Sequence, residues 1–264
     1  MNPSGRASLL FALAFGLFAC DAPEEVKLFT KQVPDLTQTA IKGETAGDGQ
    51  MYCAPVAVSN TFAWLLGVDT QDQLLMARTL AGQDYMRTSL KNGTGTVELL
   101  RGAKRYARSS GLHIEELQHE GWRKTDKSHF SGNAVPTRTF VERFVGDNRG
   151  AWVNIGWYKR DGSELRRIGG HWVTLVGADF SQGTTLYVND PSPRAGNRKT
   201  THMLSVSRLD PIRLIGRKHG LPRNGADLWM VEDGLKIHQN ADVAIIDGIV
   251  GLKISRQLSK NSAS

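Results

Sequence analysis

Cysteine is almost absent from this chain: two occur in 264 residues, Cys20 and Cys53. Two thiols can close one bridge at most, so no disulfide framework is expected. There is no second cysteine near either one and no His-x-x-x-His pair, so a metal site has no ligand set and no cofactor is expected. Dense charge is missing too. The formal net charge is +7, yet no run of Lys and Arg exceeds two residues. A nucleic-acid footprint needs a concentrated basic stripe, so nucleic acid is not an expected partner. Internal repeats are absent, and with 40% apolar residues the chain has enough material for one good-sized core.

The start of the chain stands apart from that core. MNPSGR is followed by ASLLFALAFGLFA (7 to 19), thirteen uncharged residues, then Cys20 and the acidic DAPEE. Thirteen residues is short for a membrane span and suits the apolar segment of a signal peptide. The ending Leu17-Phe18-Ala19-Cys20 resembles a bacterial lipobox. Residues 1–19 then read as a lipoprotein signal peptide, with Cys20 becoming the lipidated N-terminus. Asp21 in the next position implies retention at the periplasmic face of the inner membrane. A plain secretory signal cut after Ala22 is the alternative, and it would place Pro23 directly after the cut. Lipidation of Cys20 leaves Cys53 without an intramolecular partner, which is unusual in an exported protein.

Residues 20–46 read as a tether, polar at first and then mixing short apolar pieces with Pro34 and Gly43. A glycine-rich loop, GDGQMYC, leads into PVAVSNTFAWLL (55 to 66). Pro55 suits a first helical turn and Gly67 a helix stop. Apolar residues on most faces predict a buried, central helix with Cys53 at its N-terminal edge. Helices are also predicted at 70–81, 95–110 and 136–145. From 150 onward the texture is that of strands separated by Gly, Ser, Pro and Asp turns. Those predicted are 150–158, 163–168, 171–179, 184–190, 201–207 and 226–233, with a shorter one at 113–118. Residues 119–132 read as loop, and 241–264 as a C-terminal extension whose apolar part is a last strand or a docked segment. Helices first and an antiparallel sheet second is the segregated α+β pattern.

A thiol is a useful nucleophile only as thiolate. The unpaired N–H groups of a helix start favour the negative sulfur, and an imidazole nearby can take its proton. Of seven histidines, His171 has the most suggestive setting, opening an apolar strand directly after Gly169 and Gly170, which leave room for a close approach. His113, His119 and His129 fall in polar surroundings. An imidazole base needs a group to hold its tautomer. Asp190 closes the following strand in LYVNDPSP, with Asn189 as the competing orienter; strand alternation lets only one of them face the imidazole. The backbone N–H of Cys53 and the side chain of Gln50 are the expected donors to an oxyanion.

Together, DGQMYCAPVAVSNTFAWL, GGHWVTLVGAD and LYVNDPSP resemble a papain-like cysteine peptidase of the C39-like group, over roughly residues 50 to 190. The resemblance implies a cysteine-bearing helix packed on an antiparallel sheet and a triad matching Cys53, His171 and Asp190. The usual Cys-Gly-Pro is Cys53-Ala54-Pro55 here. The position six before the cysteine, where the group carries its oxyanion glutamine, is Gly47, so Gln50 has the weaker support. The expectation is a papain-like hydrolase domain over 47–240, cleaving peptide or amide bonds of a peptide or protein substrate and held to a membrane by a lipid anchor. A non-catalytic binding protein of the same fold and a transglutaminase-type acyltransferase are the alternatives.

Overall fold

Residues 27–30, 32–41, 46–193, 201–216 and 223–256 are described by the computed structural model. The expected signal segment 1–19 and the expected lipidation site Cys20 lie outside these residues. Within them the chain is a mixed α+β body: helices come first, one of them bearing Cys53, and they pack on a large sheet.

Helix α1 (Cys53–Leu66) begins two residues before Pro55, whose missing N–H is no loss in a first turn. It ends at Gly67, in the left-handed conformation with φ 69°, whose N–H closes on the Ala63 carbonyl. Every residue from Ala54 to Ala63 is buried, as expected of a helix that is apolar all round. Helix α2 (Thr70–Ala81) is capped by the Asp69 side chain, which accepts from the Asp72 N–H. Helix α3 (Thr96–Ser109) buries one stripe, Leu99, Leu100, Ala103 and Ala107. Helix α4 (Arg138–Phe144) is capped by Thr137 and is shorter at both ends than the predicted segment.

The strands are β1 (Lys27–Phe29), β2 (Leu112–Gly121), β3 (Arg149–Asp161), β4 (Glu164–Asp179), β5 (Thr184–Asn189), β6 (His202–Arg208), β7 (Arg213–Ile215), β8 (Arg223–Asn224), β9 (Trp229–Asp233) and β10 (Val243–Arg256). Six of them close a ring. β3 pairs with β4, β4 with β5, β5 with β6, β6 with β9, β9 with β10, and β10 returns to β3, every pair antiparallel. Residues of all six strands, among them Val153, Val173, Val188, Leu204, Val231 and Ile246, form the core inside this ring. The other faces of β3, β4 and β10 carry Trp152, Trp172 and Val250, which join Ala57, Phe62, Leu80 and Leu99 in a second core under the helices.

Four expectations change. The sheet is mixed, because β7 runs parallel to the first residues of β4. Segments 163–168 and 171–179 are one strand that continues through Gly169 and Gly170. The boundary at 240 does not fall at the edge of the fold: β10 is a central strand between β3 and β2. Its Val243–Ile246 run is buried on both faces, while Asp247-Gly248 is a local shift in pairing register. The tether is partly docked as well. Leu28 of β1 pairs with Ala178 of β4, and Leu36 is buried against Val56 and Ala77.

Candidate active site

Polar bonds lock α1 onto the sheet and so fix where its first residue lies. Thr174 Oγ1 donates to the Ala57 carbonyl at 2.8 Å, Trp152 Nε1 donates to the same carbonyl at 3.2 Å, and Asn60 Nδ2 donates to Thr174 Oγ1 at 3.2 Å. β5 pairs with β4 only as far as Thr174 opposite Asn189, so the stretch of β4 around His171 and Trp172 is free of β5. Cys53 docks there. Its half-buried thiol shares a hydrogen bond with the His171 imidazole, and the backbone N–H groups of Trp172 and Ala54 donate to the sulfur.

His171 is buried and held on three sides. Its ring lies nearly parallel to that of Trp157, with centroids 6.1 Å apart and planes inclined by 18°. Asn154 Nδ2 donates to its carbonyl at 3.4 Å. Asp190 Oδ1 lies 2.5 Å from its Nε2 and also accepts from the Ser192 N–H at 2.8 Å. With Nε2 committed to Asp190, Nδ1 is the ring nitrogen left for the sulfur.

Burial of Cys53 opposes a thiolate, but the hydrogen bond and charge of His171 and the two backbone donors outweigh it, and the thiol becomes more acidic than normal. Burial likewise opposes an imidazolium. The charge and hydrogen bond of Asp190, helped by Cys53, outweigh that too and push His171 up to about 9. The two shifts point the same way: both favour the ion pair in which the proton is on the imidazole and the negative charge on sulfur.

Asn189 serves the opposite side of the strand end. Its Nδ2 donates to the carbonyls of Val33 at 3.0 Å and Pro34 at 3.1 Å, and its Oδ1 accepts from Thr201 Oγ1. Gln50 is exposed on the turn before α1, and its carbonyl accepts from Gln38 Nε2 at 2.8 Å. Gln38 is itself buried, with an Oε1 that has no partner among the described residues. The sequence offered no signal for Gln38, because it lies in a segment that reads as a tether.

The room left by the glycine pair is occupied from within the chain. A Cβ on Gly170 would fall 2.1 Å from Arg167 Nη2, and one on Gly169 would fall 3.2 Å from Trp157 Cδ1. Arg167 Nε donates to Asp247 Oδ2 at 2.6 Å, and Asp247 Oδ1 accepts from Trp122 Nε1 and the Tyr158 hydroxyl. Arg167 Nη2 also reaches Asn154 Oδ1 at 3.5 Å, so this buried ion pair adjoins the residue that holds the His171 carbonyl. His119, expected in polar surroundings, is wholly buried on β2, and burial pulls its pKa down to about 4. No group of three or more His, Cys, Asp or Glu side chains suited to a metal occurs among the described residues. No protein-family model matches this chain, and no curated protein matches it in sequence.

Proposed function

We propose that this chain is a papain-like cysteine hydrolase, similar to the C39-like peptidases, that cleaves peptide or amide bonds through an acyl-enzyme on Cys53. The observation that carries the reading is the hydrogen-bonded line from Cys53 through His171 to Asp190 at the start of a buried helix. In this scheme the Cys53 thiolate attacks the carbonyl carbon, and the C=O π electrons move onto oxygen. The N–H of Cys53, at the first position of α1, stabilises that oxyanion, with Gln50 beside it on the turn. As the tetrahedral intermediate collapses, the C–N bond breaks and the His171 imidazolium gives its proton to the leaving amine. Neutral His171 then takes a proton from water, the hydroxide attacks the thioester, and the acid leaves as the C–S bond breaks. Asp190 stabilises the imidazolium throughout and fixes its tautomer.

The test is covalent labelling by an amide-mimic electrophile. Native protein is expected to be labelled at Cys53, and Cys53→Ser to be silent. Labelling no faster than that of an unfolded thiol would favour a binding protein. The Leu17-Phe18-Ala19-Cys20 sequence supports a lipid anchor at the periplasmic face of the inner membrane as part of the same proposal. Membrane-extracted protein should carry a diacylglycerol on Cys20, and a species beginning at Pro23 would overturn that part.

A further inference from the structure

Residues 33 to 38 cross the end of β5 and are tied down on both sides of Asp190. The carbonyls of Val33 and Pro34 accept from Asn189, the residue before Asp190. The N–H of Gln38 donates to the carbonyl of Pro191, the residue after it, at 2.7 Å. Between these ties, the Leu36 N–H donates to Asn60 Oδ1 at 3.1 Å, on the helix that carries Cys53. Asp35 lies in the middle of the span, between the residue tied to Asn189 and the residue tied to Asn60. It is partly buried and within range of the Asp190 charge.

We propose that Asp35 is a positioning residue of this site: a second carboxyl, set beside Asp190 by the 33–38 segment, whose ionisation tunes the charge felt by His171. This rests on the assignment of Cys53, His171 and Asp190 given above. The titratable groups at the near ends of the elements packed against the segment are Asp190 after β5, His171 on β4 and Cys53 on α1, and helix α2, which meets Leu36 through Ala77, adds Asp72 and Arg78; Asn60 and Asn189 are neutral. Two neighbouring carboxyls resist double ionisation. Asp190 has the His171 cation to stabilise its charge, whereas burial and the Asp190 charge both disfavour ionisation of Asp35. Burial first, and the Asp190 charge second, push Asp35 up to about 7. Asp35 is therefore the member of the pair that holds a proton on the acid side of neutrality.

The consequences have definite signs. Above neutrality Asp35 adds a negative charge that favours the His171 imidazolium. The same charge repels Asp190 and weakens the fastening of the segment. An acid that holds its proton more tightly folded than unfolded contributes stability that is full below about 3.8 and is lost as pH rises to about 7.

The experiment is a carboxyl and imidazole NMR titration of the full chain with labelled Asp and His, in the absence of any substrate. The Asp35 carboxyl is expected to titrate near 7 and to move down in Asp190→Asn. In Asp35→Asn the His171 midpoint should fall by up to about one unit, less than the shift made by a charge in direct contact. Amide exchange at Leu36 and Gln38, corrected for intrinsic rates, should quicken above neutrality in the wild type and not in Asp35→Asn. An Asp35 midpoint near the ordinary value of about 3.9, or one that does not respond to Asp190→Asn, would overturn the proposal. Should Asp35→Asn release the segment, seen as fast exchange at Leu36 and Gln38 at every pH, the wild-type and Asp190→Asn titrations decide alone. No turnover is measured, so a protein inactive toward peptides leaves this test standing, and failure here leaves the labelling test of Cys53 standing.

Discussion

Asn189 and Asp190 are neighbours in sequence that hold different parts of the molecule. Asp190 Oδ1 meets His171 Nε2 at 2.5 Å, whereas Asn189 Nδ2 holds the carbonyls of Val33 and Pro34. Their substitutions should therefore fail in different ways. Asp190→Ala is expected to slow acylation of Cys53 on one reactive amide by roughly 10²- to 10⁴-fold, the range for a disturbed general acid–base group. Asn189→Ala is expected to leave acylation within a few-fold and to cost about 1–2 kcal/mol in urea unfolding, for the lost donor and the carbonyls it leaves. Acylation rates and unfolding midpoints on both variants check this, and a large kinetic loss confined to Asn189→Ala would transfer the role.

The shift of Cys53 toward the thiolate predicts reactivity at pH values where an ordinary thiol has little. Initial rates of alkylation by a small neutral reagent, followed against pH, should give a midpoint below the reference of about 8.5. In His171→Ala the stabilising cation is gone while burial remains, so the midpoint should move up. The wild-type midpoint belongs to the Cys53–His171 pair rather than to either group. A midpoint that ignores the His171 substitution would remove the ion pair from the account.

The parts of the site that were legible in the sequence are those with local signatures. Pro55 and Gly67 bracket a helix, which puts Cys53 at its start, and an apolar strand and an Asp-Pro place His171 and Asp190 one hairpin apart. What could not be read depends on pairing between distant segments. β10 closes the ring by meeting β3 nearly a hundred positions earlier in the chain, and no periodicity announces such a partner. The role of Asp247-Gly248, a register shift with a buried carboxylate, exists only once Arg167, Tyr158 and Trp122 surround it. Asp35 and Gln38 were hidden for another reason: their segment is held largely through its own backbone groups, which leave no mark in the side-chain sequence.

Gly169 and Gly170 are adjacent, yet they should not tolerate a methyl group equally. At Gly169 a Cβ would meet only the edge of Trp157, at 3.2 Å, which a small movement of the ring relieves. At Gly170 it would fall 2.1 Å from Arg167 Nη2 and 3.2 Å from the Ile155 carbonyl. An arginine end is usually mobile, but this one is held by Asp247 and Asn154 and cannot swing away without breaking the pair. Gly170→Ala should therefore cost about 1–3 kcal/mol, the usual range for overpacking, and Gly169→Ala clearly less. Thermal or urea unfolding of the two variants side by side measures the difference; equal losses would mean that Arg167 is free to move.

The Arg167–Asp247 pair itself supplies the sharpest stability test. Asp247 is completely buried, and its two oxygens receive Arg167, Tyr158 and Trp122. Arg167→Met keeps much of the side-chain volume and removes the cation, leaving the carboxylate with two neutral donors in a site closed to water. Breaking a buried pair from one side costs roughly 3–5 kcal/mol, because the remaining charge stays desolvated. Asp247→Asn removes the charge but keeps one acceptor for Tyr158 or Trp122, and strands a cation that is slightly exposed, so its cost should be smaller. The double variant Arg167→Met/Asp247→Asn should recover part of the Arg167→Met loss, since no uncompensated anion is left behind. Urea unfolding of the three variants forms a double-mutant cycle. Full additivity would show that the pair contributes no mutual stabilisation, and would leave Asn154 alone to hold the His171 carbonyl in place.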